Sequence, residues 1–305
     1  MKKTILIAGG SGLIGTFLQK RFQKLGCSVR ILSRSVDLSQ KGIFYHWDPK
    51  KREFDQAALE HVDVVINLAG ASIADRRWTD SRKKVMWESR ITTSEFLLEQ
   101  IKLSSGKIDC YIGASASGIY GDRGDEILTE ESKVGKPGFL VDLSSAWEDA
   151  HRSFKEVAKR VKCIRIGVVL SNQGGAFPKL RNAVLGGVGG YLSTGKQYLP
   201  WIHIDDLIRV FEWAVNETNQ YTIINGVAPN PQTNYQFMYT LSKLRWGFGW
   251  LFPVPGFILR LLLGEMSQVL LDSQRVIPEQ LLQGQFTFDY AHLKGALENL
   301  LGEKE

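Results

Sequence analysis

The residues that most constrain this chain are Gly9-Gly10-Ser11-Gly12-Leu13-Ile14-Gly15. They follow directly on the apolar run 4–8 and lead into an amphipathic stretch over 14–25, so a strand, a glycine turn and a helix are predicted in that order. This order suits a dinucleotide pyrophosphate. Glycines allow the tight turn and bring the backbone close to the phosphates, and the unpaired N–H groups at the helix N-terminus meet the negative charge. Gly9, Ser11, Gly12, Leu13, Ile14 and Gly15 are therefore candidate cofactor-binding residues.

Such a turn needs a βαβ unit around it. Apolar runs at 29–33, 62–68 and 110–114 alternate with helix-like segments at 14–25 and 82–101, the pattern of a parallel sheet covered on both faces. Strands at 164–170 and 221–227 and helices at 146–161 and 206–216 continue it. The run 186–190, Gly-Gly-Val-Gly-Gly, reads as a flexible loop. From Pro229 onward the chain reads as helices, with a short extended piece at 286–288. The predicted fold class is α/β, a Rossmann-type doubly wound parallel sheet with a smaller, mostly helical C-terminal substrate lobe. Residues 1–170 would form the nucleotide-binding domain with a return segment at about 201–228, and residues 171–200 and 229–305 the second lobe.

Charge and cysteine usage narrow the function classes. The formal charge is +6, but 38 basic and 32 acidic residues are interspersed without a basic stripe interleaved with aromatics. No nucleic-acid partner is expected, and an anionic small-molecule substrate accounts equally well for the balance. Cys27, Cys110 and Cys163 are too few for a disulfide framework or a metal cluster, which fits a reducing cytoplasm. The apolar stretch 246–264 is interrupted by Pro253, Pro255, Gly256 and Arg260, so a loop and a short helix buried by the second lobe are expected rather than a membrane span. The sequence is compatible with a homodimer.

The second strand ends Leu32-Ser33-Arg34. An NAD site places a carboxylate here for the adenosine ribose hydroxyls, whereas a guanidinium suits the 2′-phosphate of NADP through charge-assisted hydrogen bonds. NADP is thus the expected cofactor, with Ser33 and Arg34 at its adenosine end. Asn67-Leu68-Ala69-Gly70 closes the third strand with small residues that let the backbone come close. Leu68, Ala69 and Gly70 join the cofactor candidates, with Ala114 and Ser115 at the end of the fourth strand.

The glycine turn combines with Asn67-Leu68-Ala69-Gly70-Ala71-Ser72-Ile73-Ala74-Asp75, with Arg77-Trp78, Arg82 and Ser89-Arg90, and with Ser115-Ala116-Ser117-Gly118-Ile119-Tyr120-Gly121. Trp201-Ile202-His203-Ile204-Asp205-Asp206, Pro253-Val254-Pro255 and Leu261-Leu262-Leu263-Gly264-Glu265 complete the set. With these segments the chain resembles, over almost its whole length, an atypical branch of the extended short-chain dehydrogenase/reductase superfamily. That branch is the nucleoside-diphosphate-sugar-epimerase-like family with its own C-terminal domain of unknown function. The resemblance implies an NADP-binding fold of cytoplasmic proteins. It also implies a Tyr-xxx-Lys pair with a nearby Ser or Thr, the lysine lowering the tyrosine pKa from about 10 so that the phenol exchanges a proton with substrate. If Glu148 takes the acidic position that follows this pair, the tyrosine position holds Leu140 and the lysine position Ser144. The hydroxyl position four before Tyr120-Gly121 holds Ala116, with Ser115 and Ser117 on either side.

Tyr239…Lys243 and Tyr290…Lys294 have the right spacing but lie in the wrong half of the chain. The catalytic candidates are Tyr120, Ser115 and Ser117, with Lys136 and Glu148 behind them. Tyr120 comes first because the strand end should point into the cleft. Arg76, Arg77, Arg82, Arg90, Lys196 and Arg275 are candidate anion contacts. His203 before Asp205-Asp206 reads as helix-cap material, and the five histidines show no metal-ligand spacing, so no metal is expected. The expected function is an NADP(H)-binding epimerase-like (isomerase) or oxidoreductase activity on a small anionic carbonyl or hydroxyl compound, nucleotide sugars included, with the usual relay replaced or missing. The alternative is a non-catalytic NADP(H)-binding sensor or scaffold.

Overall fold

The structure, a computed structural model, describes residues 3–35, 42–104, 107–186, 188–218 and 223–302. The first half of the chain forms β1 (Thr4–Ala8), α1 (Leu13–Lys24), β2 (Ser28–Ser33), β3 (Phe44–Asp48), β4 (Glu53–Phe54), β5 (Val64–Asn67), α2 (Asp80–Glu88), α3 (Ile91–Leu103), β6 (Ile108–Ala116), β7 (Ile127–Leu128), α4 (Phe139–Arg152) and β8 (Ala158–Ile166). There follow β9 (Val168–Ser171), β10 (Gly174–Gly175), α5 (Phe177–Asn182), β11 (Val184–Leu185), β12 (Val188–Leu192), β13 (Tyr198–Leu199), β14 (Trp201–His203), α6 (Ile204–Asn216) and β15 (Ile223–Gly226). The chain closes with β16 (Gln232–Thr233), α7 (Asn234–Trp246), β17 (Trp250–Val254), α8 (Gly256–Leu263), α9 (Gln268–Leu271), β18 (Arg275–Val276), α10 (Glu279–Gln283) and α11 (Leu293–Gly302).

Alternation along the strands builds the layers. On β1, Ile5 and Ile7 point to one face and pack with Phe22 of α1 and Phe211 of α6, while Leu6 and Ala8 point to the other and pack with Phe96 and Leu97 of α3. Covered on both faces, the strands form a sheet in the order β15-β8-β6-β5-β1-β2-β3-β4, parallel except for β4, which is antiparallel to β3. The fold is a Rossmann-type doubly wound sheet. Its order reverses between β1 and β5, which leaves a crevice at their carboxyl ends, where such sheets take ligands.

Several segments depart from the sequence expectation, each for a local reason. The helix expected over 82–101 breaks at Ser89–Arg90 into α2 and α3, because Ser89 Oγ and Arg90 Nη1 bond back to Met86 O and to the loop at Ala71. The helix expected over 146–161 ends at Arg152, and Ala158 onward is the start of β8, paired in parallel with β6. The strand expected over 164–170 is split at Gly167, where a Cβ would collide with Pro200 O, and β9 joins a separate three-stranded sheet with β10 and β14. In place of a loop at 186–190, Val188–Leu192 pairs in parallel with β17. Residue 187, and residues 221–222 of the strand expected at 221–227, lie outside the described residues. The short piece expected at 286–288 carries no ladder pairing, and there Phe286 and Phe288 meet edge to face at 4.8 Å. Finally, α8 is not buried: Phe257, Leu261 and Leu262 are all exposed. Among the described residues no helix is long and apolar enough to cross a membrane.

Candidate functional site

The glycine turn walls the crevice. Gly9 has a φ of 78°, and a Cβ on it would stand 2.9 Å from Leu68 C and O; a Cβ on Gly15 would stand 2.6 Å from Gly9 O. Only glycine at both places lets the turn, α1 and the loop after β5 meet. Gly12 caps α1 in an extended conformation without a side-chain bond. Among the described residues, the N–H groups of Leu13, Ile14 and Gly15 therefore have no helical acceptor, as a phosphate-binding helix start requires. Ser11 is exposed at the tip of the turn. From β10 in the separate three-stranded sheet, Gly175 approaches Leu13, its Cβ position lying 3.3 Å from Leu13 Cδ2.

At the end of β2, Ser33 Oγ donates to Ser35 O at 2.7 Å and Arg34 is exposed. At the end of β5 the buried Asn67 shapes the loop of Leu68, Ala69 and Gly70. Its Oδ1 accepts Ala69 N–H at 3.1 Å, and its Nδ2 donates to Ser94 Oγ at 3.0 Å and Tyr111 OH at 3.1 Å. Tyr111 OH meets His151 Nδ1 at 2.7 Å, and His151 Nε2 meets Ala114 O at 2.9 Å. This chain of side chains ties β5, β6 and α4 together beneath the loop. Burial holds the His151 pKa down at about 4, so the ring is neutral.

Two of the expected catalytic groups, Ser115 and Tyr120, are committed to buried partners. Leu140, Ser144 and Glu148 lie on one stripe of α4 at spacings of four, facing the end of β6: Leu140 Cβ is 3.6 Å from the Cβ position of Gly118, and Glu148 Oε1 accepts Ser115 Oγ–H at 2.8 Å. Glu148 also takes a paired grip from Arg165, with Nε at 2.8 Å and Nη2 at 3.0 Å. Burial opposes the guanidinium charge, but the Glu148 carboxylate outweighs it and the Arg165 pKa rises. Tyr120 does not point into the cleft as its strand-end position suggested. It is fully buried, accepts from Arg165 Nη1 at 2.9 Å, and has Asn225 Oδ1 at 2.7 Å and Thr129 O at 2.9 Å to receive its proton. Burial, only partly offset by Arg165, raises its pKa above 10, the wrong direction for a proton shuttle. Ser117 is buried in the turn that leaves β6.

The two spaced Tyr-xxx-Lys matches sit apart from this region. Tyr239 is exposed on α7 and stacks on Tyr235, while the Tyr290 ring lies tilted by 35° against His203 at 3.9 Å and its backbone N–H donates to Asp206. Tyr239→Phe and Tyr290→Phe should each leave the affinity for a nicotinamide dinucleotide within two-fold of the parent by fluorescence titration. A ten-fold loss in either would place it at the cofactor. His203 caps α6 through Nδ1, which accepts Asp205 N–H at 3.2 Å. No group of three or more metal-ligating side chains is found among the described residues.

Two arginines carry a signal that sequence spacing did not rank. Arg90 Nη1 donates to Ala71 O at 3.0 Å, and its Cζ lies 3.1 Å from the Cβ position of Gly70 and 4.8 Å from the Trp147 ring. Arg82 Nη2 donates to Ser72 O, while Arg82 Nε is buried with no acceptor. Burial, with Arg82 close by, lowers the Arg90 pKa to about 10. Elsewhere, Arg77 packs on Gly264, and Arg275 lies over the Tyr198 ring at 5.1 Å. Arg76, Lys136 and Lys196 are exposed.

Comparison with known proteins places this geometry among relatives. Residues 5–225 match the NAD dependent epimerase/dehydratase family, and residues 254–300 match a domain of unknown function (DUF1731). An epimerase family protein of Staphylococcus saprophyticus is 37% identical, covering 98% of this chain and 99% of its own length. A crystal structure of a human epimerase family protein with NADPH superposes with a TM-score of 0.86 at 28% identity, covering 97% of this chain and 98% of that one. A nucleoside-diphosphate sugar epimerase from Corynebacterium glutamicum gives 0.80 at 33% identity over 99% of this chain, which spans 59% of that longer protein.

Proposed function

The chain belongs to the NAD dependent epimerase/dehydratase family, and from that premise we propose that it binds NADP(H) and acts as an oxidoreductase or epimerase-like enzyme on a small anionic carbonyl or hydroxyl compound in the cytoplasm. The observation that carries the cofactor choice is Arg34, exposed at the end of β2 where an NAD site would hold a carboxylate. The NADPH in the human relative supports it.

The residues present fit such a cofactor. Gly9 and Gly15 leave a cradle that any Cβ would fill, and the start of α1 offers free N–H donors for the pyrophosphate. Leu68, Ala69 and Gly70 would border the adenine-side ribose and pyrophosphate, and Ala114 and Ser115 the nicotinamide end. When bound, the nicotinamide supplies a hydride donor or acceptor. On the register that puts Glu148 at the acidic position after the relay, Leu140 and Ser144 would take the tyrosine and lysine places, and the Tyr120 and Ser115 hydroxyls are committed to buried partners. Proton transfer then falls to Ser117 or to a group on the substrate itself. The same commitment favours a second reading, an NADP(H)-binding sensor without turnover.

NADPH should bind at least ten-fold more tightly than NADH, about 1.4 kcal/mol, and Arg34→Asp should erase the preference. Equal affinities in the parent, or an unchanged preference in the variant, would remove the NADP assignment. A screen of quinones, aldehydes and nucleotide sugars for NADPH oxidation or epimerisation separates the two readings. Turnover that survives Tyr120→Phe and falls in Ser117→Ala supports the enzyme, and tight NADPH binding with no turnover across the screen supports the sensor.

A further inference from the structure

We propose that Arg82 and Arg90 form a second anion site, separate from that of the cofactor, which takes the carboxylate or phosphate of the substrate. The inference rests on the reading of the chain as a nucleotide-binding enzyme with an anionic substrate, and it specifies where that acid is held.

The two guanidiniums lie under the loop that leaves β5, one bonded to Ala71 O and the other to the next carbonyl, Ser72 O. They are close enough for Arg82 to depress the Arg90 pKa. Arg90 is nine-tenths buried, at 9% exposure. Neither arginine has an ion pair among the described residues. Asp75, on the same loop, spends its Oδ1 on the Ser72 hydroxyl at 2.7 Å, while the neighbouring Lys83 takes Glu265 for itself. Two buried or half-buried cations side by side without a counter-charge are a costly arrangement in a folded protein unless an anion completes it. Arg82 Nε is also a buried donor with no acceptor, and such groups are rare unless a ligand or water supplies the partner.

Location separates this site from the cofactor's. The loop residues Leu68 and Ala69 pack on Gly9 of the pyrophosphate turn, and Gly70 on Arg90, so the loop stands between the two anion positions. Across the mouth, Lys179 of α5 reaches Ala74 O at 3.5 Å and adds a cation from the second lobe. Planar guanidinium forks recognise carboxylate and phosphate oxygens in pairs. A substrate acid held there would lie beside the cofactor crevice.

The test uses the full chain saturated with NADPH and titrated with inorganic phosphate at constant ionic strength, read by calorimetry. The parent should show saturable phosphate binding, and Arg82→Gln should weaken it at least ten-fold. NADPH affinity in that variant should stay within two-fold of the parent, and so should the unliganded urea midpoint. Arg90→Gln is the companion variant, and Arg82 carries the decision if the Arg90 variant fails to fold. Non-saturable binding in the parent, or phosphate affinity unchanged in Arg82→Gln, overturns the site. A parallel loss of NADPH affinity in Arg82→Gln also overturns it, by assigning the arginines to the cofactor. If the parent fails to bind NADPH, the cofactor reading falls, and the phosphate titration of parent against variant still decides the arginine site.

Discussion

Glu148→Ala is expected to cost about 3–5 kcal/mol of folding stability, the scale for breaking a buried ion pair by removing one partner. Glu148 and Arg165 are 6% and 7% exposed, and the carboxylate meets the guanidinium through two parallel hydrogen bonds while also receiving Ser115. Without the carboxylate, Arg165 keeps its charge in a dry setting, with the Tyr120 hydroxyl and Glu130 O at 3.5 Å as its remaining acceptors. Urea unfolding at neutral pH measures the loss. Replacing both partners, Glu148→Leu with Arg165→Met, should recover more than half of it, because no charge is then left buried. A loss below 1 kcal/mol for Glu148→Ala would show that Arg165 finds water and that the pair does not brace α4 against β8.

The second large effect is acid lability centred on His151. Its Nε2 faces a carbonyl, Ala114 O, so Nε2 carries the proton and Nδ1 accepts from Tyr111 O–H. The Tyr111 oxygen already accepts from Asn67 Nδ2, and protonating Nδ1 would oppose two donors there. The folded pKa is about 4 against 6.5 in the unfolded chain. Above pH 6.5 both states are neutral and nothing is lost. As pH falls from 6.5 toward 4, the unfolded chain takes up the proton first and the folded state loses ground, up to ~3 kcal/mol. The urea midpoint should therefore drop from pH 7.5 to 4.5 by more in the parent than in His151→Asn. Equal drops in the two proteins would remove His151 as the cause.

What could be read from the sequence was local. The order of strand, glycine turn and helix, the alternation of Ile5 and Ile7 against Leu6 and Ala8, and Arg34 at a strand end all lie within a few residues of one another. The misplacements came where distant pairing overrode local pattern. Ala158–Val161 reads as the tail of a helix but is held extended by β6, and Val188–Leu192 reads as a glycine loop but finds an edge in β17. The same holds for the site. Tyr120 was placed in the cleft because nothing near it in sequence announces Asn225, its partner 105 residues on. Arg82 and Arg90 are two of six candidate anion contacts in the sequence, and it is the loop after β5, folded over them, that sets them apart. Their lack of a carboxylate is a property of space that spacing cannot show.

The return of α6 and β15 to the first sheet sets a timetable for synthesis. When a ribosome has released residues 1–170, seven of the eight strands exist, but β15 is missing and the face bearing Ile5, Ile7, Ile66 and Ile112 lacks its cover from α6. At ordinary elongation rates the chain waits roughly 3–11 s for residue 226 to emerge. Over that interval the nascent protein carries an open β8 edge and a half-bare apolar face, the combination chaperones bind. A fragment ending near residue 170 would stay in that condition permanently and should be recovered as aggregate.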